Sequence, residues 1–579
     1  MGKRTGRAEP GFQAVAGLRV AFTALLLGLA TGAIAQGTPA QVPRAQDLAP
    51  PVTPPPNKGA PPERPAPPRE LGKPEDELRL DVTRYVVDDS APAELRAALP
   101  ALTARFIGPQ RGFEDLVGAA AEVTRFLQRE LGYYLGYAYL PEQTPQGGVI
   151  RIAVLEGRLD KVELVWRNNI PVNREVVEAY LARLATGSVL KVRDVERVVF
   201  LVNDLRGMTA RFELRAGSLP GTATMVVTAA PESAYQGRID IDRNGTDALG
   251  LWRLGGLVQV NSPFGRGDGF TATALSSSTG GLKFALLGYN TPLGSDGLKV
   301  GTSLSLVDYQ LDKALFPLDL NGKASTFNLY GLYPLARSRN LNLFTLASAD
   351  HKSYSDTVGA GGTTKKAVDA VSLGATGDFR DTLLSGGVNT FEATLSRGRV
   401  KYENGRPGGL DDDETYTKLT AGYTRLQDLV TNRALIYFAI RGQATRNNLD
   451  TTEQFRLGGP DGVRAFNSGE GTGDLGAIVT GELRLLPPEA WFGRIAREMV
   501  FSLFGDAGYV QYRYRTDPTQ LGTLRNHGKF AGAGLGLAWV RPAGYSLRLA
   551  VAKPVRGVTR DGEKIDQVRA WLQAAMLFN

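Results

Sequence analysis

From Ser233 to the C-terminus, the chain consists of short segments in which apolar and polar residues alternate, and helical spacing disappears. In YQGRIDID (235–242), Tyr235, Ile239 and Ile241 fall on one face, and the charged residues fall on the other. TFEATLS and YSLRLAVA alternate in the same way. A period of two residues is typical of strands that bury one face. This region therefore predicts a large antiparallel sheet without covering helices.

Such strands suit a soluble β-sandwich as well as a membrane β-barrel, so the alternation alone leaves both open. Three features favour the barrel: there are no helices to cover a sheet, aromatic residues recur near strand ends, and long connections such as GRPGGLDDDET alternate with tight ones such as PLARSRN. Residues 231–579 are long enough to close into a barrel, which satisfies every backbone group in lipid. No later window offers the ~20 continuous apolar residues of a membrane helix.

The first 35 residues have the pattern of a secretory signal peptide. Basic residues precede an apolar run from Val20 to Leu29, and Ala33-Ile34-Ala35 fits the small-x-small cleavage rule. The chain has no cysteine, so we expect neither disulfides nor thiolate metal sites. Part of the formal net charge of +8 lies in this leader, and solvated loops or a polar pore explain the rest, so the charge does not indicate nucleic-acid binding.

Residues 36–77 predict a proline-rich periplasmic linker. Thirteen prolines lie between residues 39 and 74, and apolar periodicity is missing. An extended tether is expected, and proline excludes a long helix, leaving room only for a short turn near Pro43 to Leu48.

Two successive units of about 75 residues each have the element order β-α-α-β-β. In residues 78–157, LRLDVTRYVV predicts one strand, two helical segments follow, and two further strands close the unit. Residues 158–230 repeat this order, beginning with the strand KVELVW. Two such units after a proline-rich tether in a secreted chain resemble the POTRA domains of the Omp85 superfamily.

The glycine-rich stretch 458–476, GGPDGVRAFNSGEGTGDLG, contains the spelling G-x-G-x-x-G of a dinucleotide-binding loop. That function requires a buried strand before the glycines and a helix after them, because the helix N-terminus holds the pyrophosphate. Here a polar loop precedes the motif, and the alternating segment AIVTGELRLL follows it. We therefore expect no nucleotide site.

LGGPDGVRAF within this stretch is similar to the loop of Omp85 barrels whose hallmark is V-R-G-F or V-R-G-Y. The residues that carry the resemblance are Gly458, Gly459, Val463, Arg464, Ala465 and Phe466. Ala465 replaces the usual glycine, which removes backbone freedom at the tip. The resemblance implies that this segment, about 456–476, is the sixth extracellular loop and folds back into the pore.

A second segment, FSLFGDAGYV (501–510), resembles the barrel-wall motif F-x-D-x-G of the same family. Its matching residues are Phe504, Asp506 and Gly508. The resemblance implies that Asp506 pairs with Arg464. An arginine confined in a lumen needs a counter-charge, and its planar guanidinium can bind one carboxylate through two bonds. The alternative is that Arg464 faces solvent at a loop tip.

Two POTRA units, a proline-rich lead and a barrel of this length resemble the two-partner secretion transporters, the TpsB or FhaC/ShlB/HecB haemolysin secretion/activation family. The resemblance covers nearly the whole mature chain. It implies an all-β transmembrane barrel of about 16 antiparallel strands preceded by two α+β POTRA domains. The location that it implies is the outer membrane of a Gram-negative cell, with the POTRA domains in the periplasm.

The resemblance also implies that an unfolded TpsA-type exoprotein binds the POTRA domains and is exported through the pore. A sheet edge in a POTRA domain can accept the client by strand addition, and we place that edge on the second strand of each unit. One alternative is a barrel-assembly factor of the same superfamily, although such factors usually have more POTRA units. A passive porin is another, but it would not need residues 78–230.

We predict no enzyme, cofactor or metal site. The chain has two histidines, His351 and His527, and no H-E-x-x-H, G-x-S-x-G or Walker motif. The expected partners are the exoprotein client, outer-membrane lipid, periplasmic chaperones and the barrel-assembly machinery, with no nucleic acid. Members of the family that the chain resembles often carry an N-terminal helix that plugs the barrel, and the sequence leaves open whether this pore is plugged. It also does not specify the client, the gating mechanism or the oligomeric state.

Overall fold

A computed structural model describes residues 44–49, 51–63, 79–315, 319–359, 362–403, 412–516, 525–542, 544–558, 560, 562 and 564–578. The predicted signal peptide, residues 1–35, lies outside the described residues, as does much of the predicted linker. The chain divides into two compact units. One contains Ser233–Ala336, Asn340–Asn579 and the chain up to Pro56, and the other contains Asn57–Glu232 with Arg337–Arg339.

The first described element is a single helical turn, α1 (Ala45–Leu48). It lies where the prolines left room for a short turn, near Pro43 to Leu48. Helix α1 belongs to the same compact unit as Ser233–Ala336 and Asn340–Asn579.

The first half of the Asn57–Glu232 unit is an α+β fold with short strands. Its elements are β1 (Arg79–Val82), β2 (Arg84–Val86), α2 (Ala93–Thr103), β3 (Gly108–Gly112), α3 (Phe113–Arg129), β4 (Tyr137–Tyr139), β5 (Val149–Arg151) and β6 (Ala153–Leu155). Leu95, Val123 and Leu127 are completely buried between the helices and the strands. These apolar positions recur at helical spacing, which is why α2 and α3 each bury one face against the rest of this half-unit.

The single first strand predicted over residues 78–87 is wrong, because the chain changes partner at Thr83. β1 pairs antiparallel with β3, a strand that was not predicted, whereas β2 pairs parallel with β5. The Thr83 amide donates to the Gly148 carbonyl oxygen at 2.8 Å, which fixes the switch. Alternation of side chains continues through such a switch, so the pattern gives no sign of it.

The second half of this unit has the predicted order β-α-α-β-β. Its elements are β7 (Arg158–Trp166), α4 (Arg174–Leu181), α5 (Val192–Asn203), β8 (Met208–Ala216) and β9 (Thr222–Pro231). The sheet order is β7-β9-β8, with β7 parallel and β8 antiparallel to the central β9. Val177, Val199 and Val227 are completely buried in the layer between the helices and this sheet. β8 is therefore an edge strand of the sheet.

The rest of the chain forms a closed barrel of antiparallel strands. The elements of this region, in chain order, are β10 (Tyr235–Asp242), β11 (Arg253–Asn261), β12 (Gly269–Ser277), β13 (Leu282–Pro292), β14 (Lys299–Gln310), β15 (Leu320–Arg337), β16 (Leu341–Val358), β17 (Thr363–Asp381), β18 (Gly387–Tyr402), β19 (Thr415–Val430), β20 (Ala434–Thr445), β21 (Phe455–Arg456), β22 (Thr472–Gly473), β23 (Leu475–Leu485), α6 (Glu489–Phe492), β24 (Met499–Gln511), β25 (His527–Val540), β26 (Tyr545–Arg556) and β27 (Arg569–Phe578). Sixteen of these strands form the wall, which confirms the predicted fold class, while β21 and β22 pair only with each other.

The barrel strands alternate between a buried and an exposed face. On β17, Val368 and Ala370 are buried, whereas Val371 and Leu373 are 61% and 63% exposed. Exposed apolar residues recur at alternate positions around the wall, as expected for a surface that faces lipid. The barrel closes where β10 pairs with β27, from Gly237 opposite Phe578 to Asp242 opposite Gln573.

None of the helices formed by the described residues is long and apolar enough to cross a membrane.

Candidate functional site

The connection between β20 and β23, residues 446–474, folds into the barrel lumen. It is the sixth connection at the barrel end opposite Tyr235, and we call it loop 6. Leu457, Val463 and Phe466 in this loop have no exposed surface, and they pack with wall residues that include Ile478 and Phe530. Loop 6 is thus seated on the inner face of the wall.

Arg464, at the tip of loop 6, contacts Asp506 on β24 through three hydrogen bonds. The Arg464 Nε donates to Oδ2 at 2.9 Å and Nη2 donates to Oδ1 at 2.8 Å, which is the bidentate geometry of a guanidinium on a carboxylate. The Arg464 backbone amide also donates to Oδ2, at 3.1 Å. The Asp506 side chain is completely buried and that of Arg464 is 14% exposed. Arg464 therefore does not face solvent at a free loop tip.

The sequence did not indicate a second carboxylate that contacts Arg464. Glu482 on β23 accepts a hydrogen bond from Arg464 Nη1 at 2.7 Å and also pairs with Arg484 at 2.6 Å. Thr480 lies two residues before Glu482 on the same inner face, and its hydroxyl donates to Asp506 Oδ1 at 2.9 Å. The alternation in AIVTGELRLL places these three side chains on one face, so the signal was present, but nothing in it assigned that face to the lumen.

An aromatic ring completes the surroundings of the guanidinium. The Arg464 Cζ lies 3.4 Å from the centre of the Phe504 ring, so the predicted wall motif supplies both a carboxylate and a stacking surface. On the other side, Trp571 Nε1 donates to the Arg464 carbonyl oxygen at 2.7 Å. Both the side chain and the backbone of Arg464 are therefore fixed by wall residues.

The glycines before the arginine shape a tight turn. Gly459 has a φ of 124°, which a residue with a Cβ adopts only at a cost. Its amide donates to the Phe466 carbonyl oxygen at 3.1 Å, and the Gly458 amide donates to that of Glu470 at 3.0 Å. The Val463 amide reaches back to the Leu457 carbonyl oxygen at 2.8 Å. Loop 6 is thus a compact hydrogen-bonded unit.

Three further predicted residues pack this unit against the wall. Phe466 makes an edge-to-face contact with Phe530, with the ring centres 4.9 Å apart. Gly508 leaves space for Leu457, because a Cβ there would approach Leu457 Cδ2 to 2.7 Å. Ala465 has no exposed surface, and its Cβ lies against Gly532 on β25. Ala465 is not among the residues with positive φ, so the alanine needs no special backbone conformation.

We expect Gly532→Ala to destabilise the seat of loop 6, because the added methyl would overlap the Ala465 methyl. Overpacking of a tight core costs about 1–3 kcal/mol. The double variant Ala465→Gly/Gly532→Ala moves the methyl across the contact and should recover most of this loss. The measurement is the thermal unfolding midpoint of the purified barrel. Equal midpoints for the single and the double variant would contradict the contact.

The GTGDLG segment anchors the base of loop 6 through Asp474. The Asp474 carboxylate is completely buried and accepts hydrogen bonds from the Leu449 amide at 3.1 Å, Gln454 Nε2 at 2.8 Å and the Tyr514 amide at 2.9 Å. Residues 472–473 form β22, and β23 begins at Leu475. The glycines are therefore followed by a strand, as the alternation in AIVTGELRLL predicted.

Helix α1 lies in the lumen and is bonded to loop 6. Arg44 Nη1 donates to the carbonyl oxygens of Thr452 and Gln454, at 3.2 and 2.7 Å. Asp47 pairs with Arg44 at 2.7 Å and with Arg456 at 2.5 Å, and all three side chains are buried or nearly so. A single carboxylate thus balances two arginines.

Lysines from the wall neutralise two more carboxylates of loop 6. Lys352 and Lys418 contact Glu453 at 2.7 and 2.9 Å, and Lys366 contacts Asp450 at 2.7 Å. Neither carboxylate has a side chain more than 2% exposed. The contacts that hold loop 6 and α1 in the lumen therefore include many ion pairs.

A closed sixteen-stranded barrel that holds its sixth loop inside, and follows POTRA-type units, defines an outer-membrane transporter of the Omp85 type. The family model of the haemolysin secretion/activation protein ShlB/FhaC/HecB matches residues 221–539, which is more than half of the chain. The model of the ShlB-type POTRA domain matches residues 80–157. The chain belongs to this family of haemolysin secretion/activation proteins.

Individual relatives agree with this assignment. The heme/hemopexin transporter protein HuxB of Haemophilus influenzae is 23% identical over 508 residues, covering 87% of this chain and 88% of the relative. The outer membrane transporter CdiB of Dickeya dadantii is 26% identical, covering 73% and 75%. The solved structure of CdiB from Escherichia coli covers 99% of this chain and 100% of its own, with 20% identity and a TM-score of 0.68, which supports the fold.

The protein is thus an outer-membrane transporter of two-partner secretion, with its POTRA domains in the periplasm. The prediction made from the motifs is confirmed at this level. The end of the barrel that carries loop 6 is the extracellular end, because β10 starts at the other end, where the chain arrives from the periplasmic residues before Ser233.

Proposed function

We propose that this protein exports an unfolded TpsA-type exoprotein and that loop 6 and α1 are the elements that the client displaces or rearranges. The observation that carries this proposal is the set of buried ion pairs and hydrogen bonds that, beside the apolar contacts of Leu457, Val463 and Phe466, attaches both segments inside the lumen. Ion pairs and hydrogen bonds can exchange with water or with a passing chain.

In this proposal, Arg464 and Asp506 hold loop 6 in the position required for export. Glu482, Thr480 and Phe504 support the pair by fixing both of its members. Asp47, between Arg44 and Arg456, holds α1 against the same loop until a client enters. The proposal assigns no catalytic step, cofactor, metal or nucleic acid to the chain. Outer-membrane lipid, periplasmic chaperones and the barrel-assembly machinery are the further partners that it requires during biogenesis.

We place client recognition on β8, the edge strand of the second POTRA unit. An extended client segment can add to such an edge through main-chain hydrogen bonds, which tolerate varied sequences. The outward side chains of β8 are open to solvent, and that of Arg211 is 82% exposed. β8 is the second strand of its unit, which is the strand on which the edge was predicted from the sequence.

Because the chain has no cysteine, this recognition site can be tested with single cysteines. We expect Arg211→Cys to form a disulfide with a client cysteine at least about fivefold more often than Arg193→Cys, since a disulfide needs Cβ atoms about 4 Å apart. Arg193, on α5, is a matched control because its side chain is 88% exposed. The readout is a non-reducing gel of a stalled client, and equal yields at both positions would exclude β8.

The transport role itself is tested by deleting the gene. We expect the partner exoprotein to disappear from the cell surface while the other outer-membrane barrels keep their levels. Depletion of those barrels, with the exoprotein still exported, would favour the assembly-factor alternative instead. Re-expression of the full chain should restore export.

A further inference from the structure

The outer face of β18 carries three consecutive outward positions that are all basic: Arg397, Arg399 and Lys401. Between them, Val400 is buried with only 3% exposed, and it packs with Val368 in the lumen. The side chains of Arg399 and Lys401 are 55% and 54% exposed. The alternation of strand faces therefore places the three cations on the outside of the barrel.

These cations begin where the apolar belt of the barrel ends. Arg397 pairs in register with Val371, which is 61% exposed. One row nearer the periplasm, Leu373, Leu395 and Leu419 lie side by side and are 63%, 53% and 46% exposed. β18 ends at Tyr402, at the same barrel end as loop 6. The basic row thus lies at the boundary between the outer leaflet and the extracellular water.

A groove of about 490 Å³ runs along the wall at this height. Its apolar lining includes Phe327, Leu329 and Val371, and its basic lining includes Arg397 and Arg399. Phe327 and Leu329 are 50% and 53% exposed, so the lower part of the groove offers apolar surface to acyl chains. The groove combines an apolar and a cationic part in the order in which a lipid presents its chains and its headgroup.

The acidic residues nearby balance only part of this charge. Asp369 contacts Lys401 at 3.3 Å and His351 at 2.6 Å, and Glu414 pairs with Arg399. Arg397 has no ion pair within the described part of the chain, which omits residues 404–411 of the neighbouring loop. A guanidinium at the edge of the hydrocarbon region is stabilised by an anion at the same depth.

We propose that this groove binds a phosphorylated, multiply acylated glycolipid of the outer leaflet, of the lipid A class. Arg397 and Arg399 hold a phosphate, for which arginine offers paired donors, and the acyl chains lie along Val371, Leu373 and Leu395. The groove extends across β15–β19, and the second phosphate of the disaccharide lies toward Lys401. This site is separate from the export machinery in the lumen.

The test uses the purified full-length barrel in detergent and bis-phosphorylated lipid A as the probe. We expect Arg397→Ala/Arg399→Ala to weaken binding about tenfold or more, since two charge-assisted hydrogen bonds are lost. The matched control is Lys283→Ala/Lys529→Ala, which removes the same charge from outward, exposed positions elsewhere on the wall. The control should stay within about twofold of the wild type, because non-specific attraction alone is screened by salt.

Two further measurements decide the assignment. Monophosphorylated lipid A should bind more weakly than the bis-phosphorylated form, and phosphatidylglycerol should bind more weakly still. Equal binding of phosphatidylglycerol, or unchanged lipid A affinity in the double arginine variant, would overturn the proposal. Altered migration on heating verifies that each variant is a folded barrel, so a binding loss cannot be ascribed to unfolding.

Discussion

Arg464→Ala and Asp506→Ala are each expected to reduce export of the exoprotein by about tenfold or more while the barrel still inserts. Each change leaves one charge of a buried pair without its partner, which costs about 3–5 kcal/mol in a protein interior and less in a wet lumen. The loss falls on the position of loop 6, since the wall strands are held by their own backbone ladder. The measurement is the amount of exoprotein at the cell surface relative to the amount of folded transporter.

Two other variants sharpen this experiment. Arg464→Lys keeps the charge but loses the bidentate contact and the stacking on Phe504, so it should export less than the wild type. Arg238→Ala is the control, because Arg238 lies on the wall strand β10 and its ion pair, at 2.6 Å, is with Asp240 of the same strand. Normal export by both Arg464→Ala and Asp506→Ala would exclude the proposed role of the pair.

Asp47→Ala is expected to release α1 and to raise the conductance of the purified barrel in a planar bilayer several-fold. The change leaves Arg44 and Arg456 buried side by side without their common carboxylate. Without the Asp47 carboxylate, the two buried guanidinium groups repel each other and lose their charge-assisted hydrogen bonds to it, so α1 should leave its seat. Asp47→Asn should behave in the same direction but more weakly, since it keeps a hydrogen-bond acceptor.

The matched control for Asp47 is Glu63→Ala. Glu63 lies in the same N-terminal segment but is exposed, so its removal changes the charge without breaking a buried contact. We expect the conductance of the Glu63→Ala barrel to equal that of the wild type. If the Asp47→Ala barrel had the same conductance as the Glu63→Ala barrel, Asp47 would not be the residue that holds α1.

The fold could be predicted from the sequence because each barrel strand has one lipid-facing side. Alternate exposed residues such as Val371 and Leu373 give the period of two directly, and the missing helices exclude a covered sheet. The switch at Thr83 and the strand β3 could not be predicted in this way. They depend on which strand is the neighbour, and the side-chain alternation of a strand does not specify its partner.

At the site, the motifs predicted that Arg464 pairs with Asp506, but they did not predict all of the residues that contact the pair. Glu482 lies on β23, directly after loop 6, and its role depends on the register that places it beside Phe504. The bonding of α1 to loop 6 joins Arg44 to residues more than 400 positions away, and local patterns carry no information on such contacts. Whether loop 6 accommodates Ala465 in place of the usual glycine depends on Gly532 of β25, which leaves space for the alanine methyl. The sequence does not show that these two residues are neighbours.

The pairing of β10 with β27 has a consequence for how the protein is made. Residue 237 meets residue 578, so the ring of strands cannot be completed until the last residues have left the ribosome. Contacts of such long sequence separation form slowly, because the loop entropy is lost before they contribute. The apolar faces of the barrel strands therefore stay without their final neighbours until the ring closes, and such exposed faces favour aggregation.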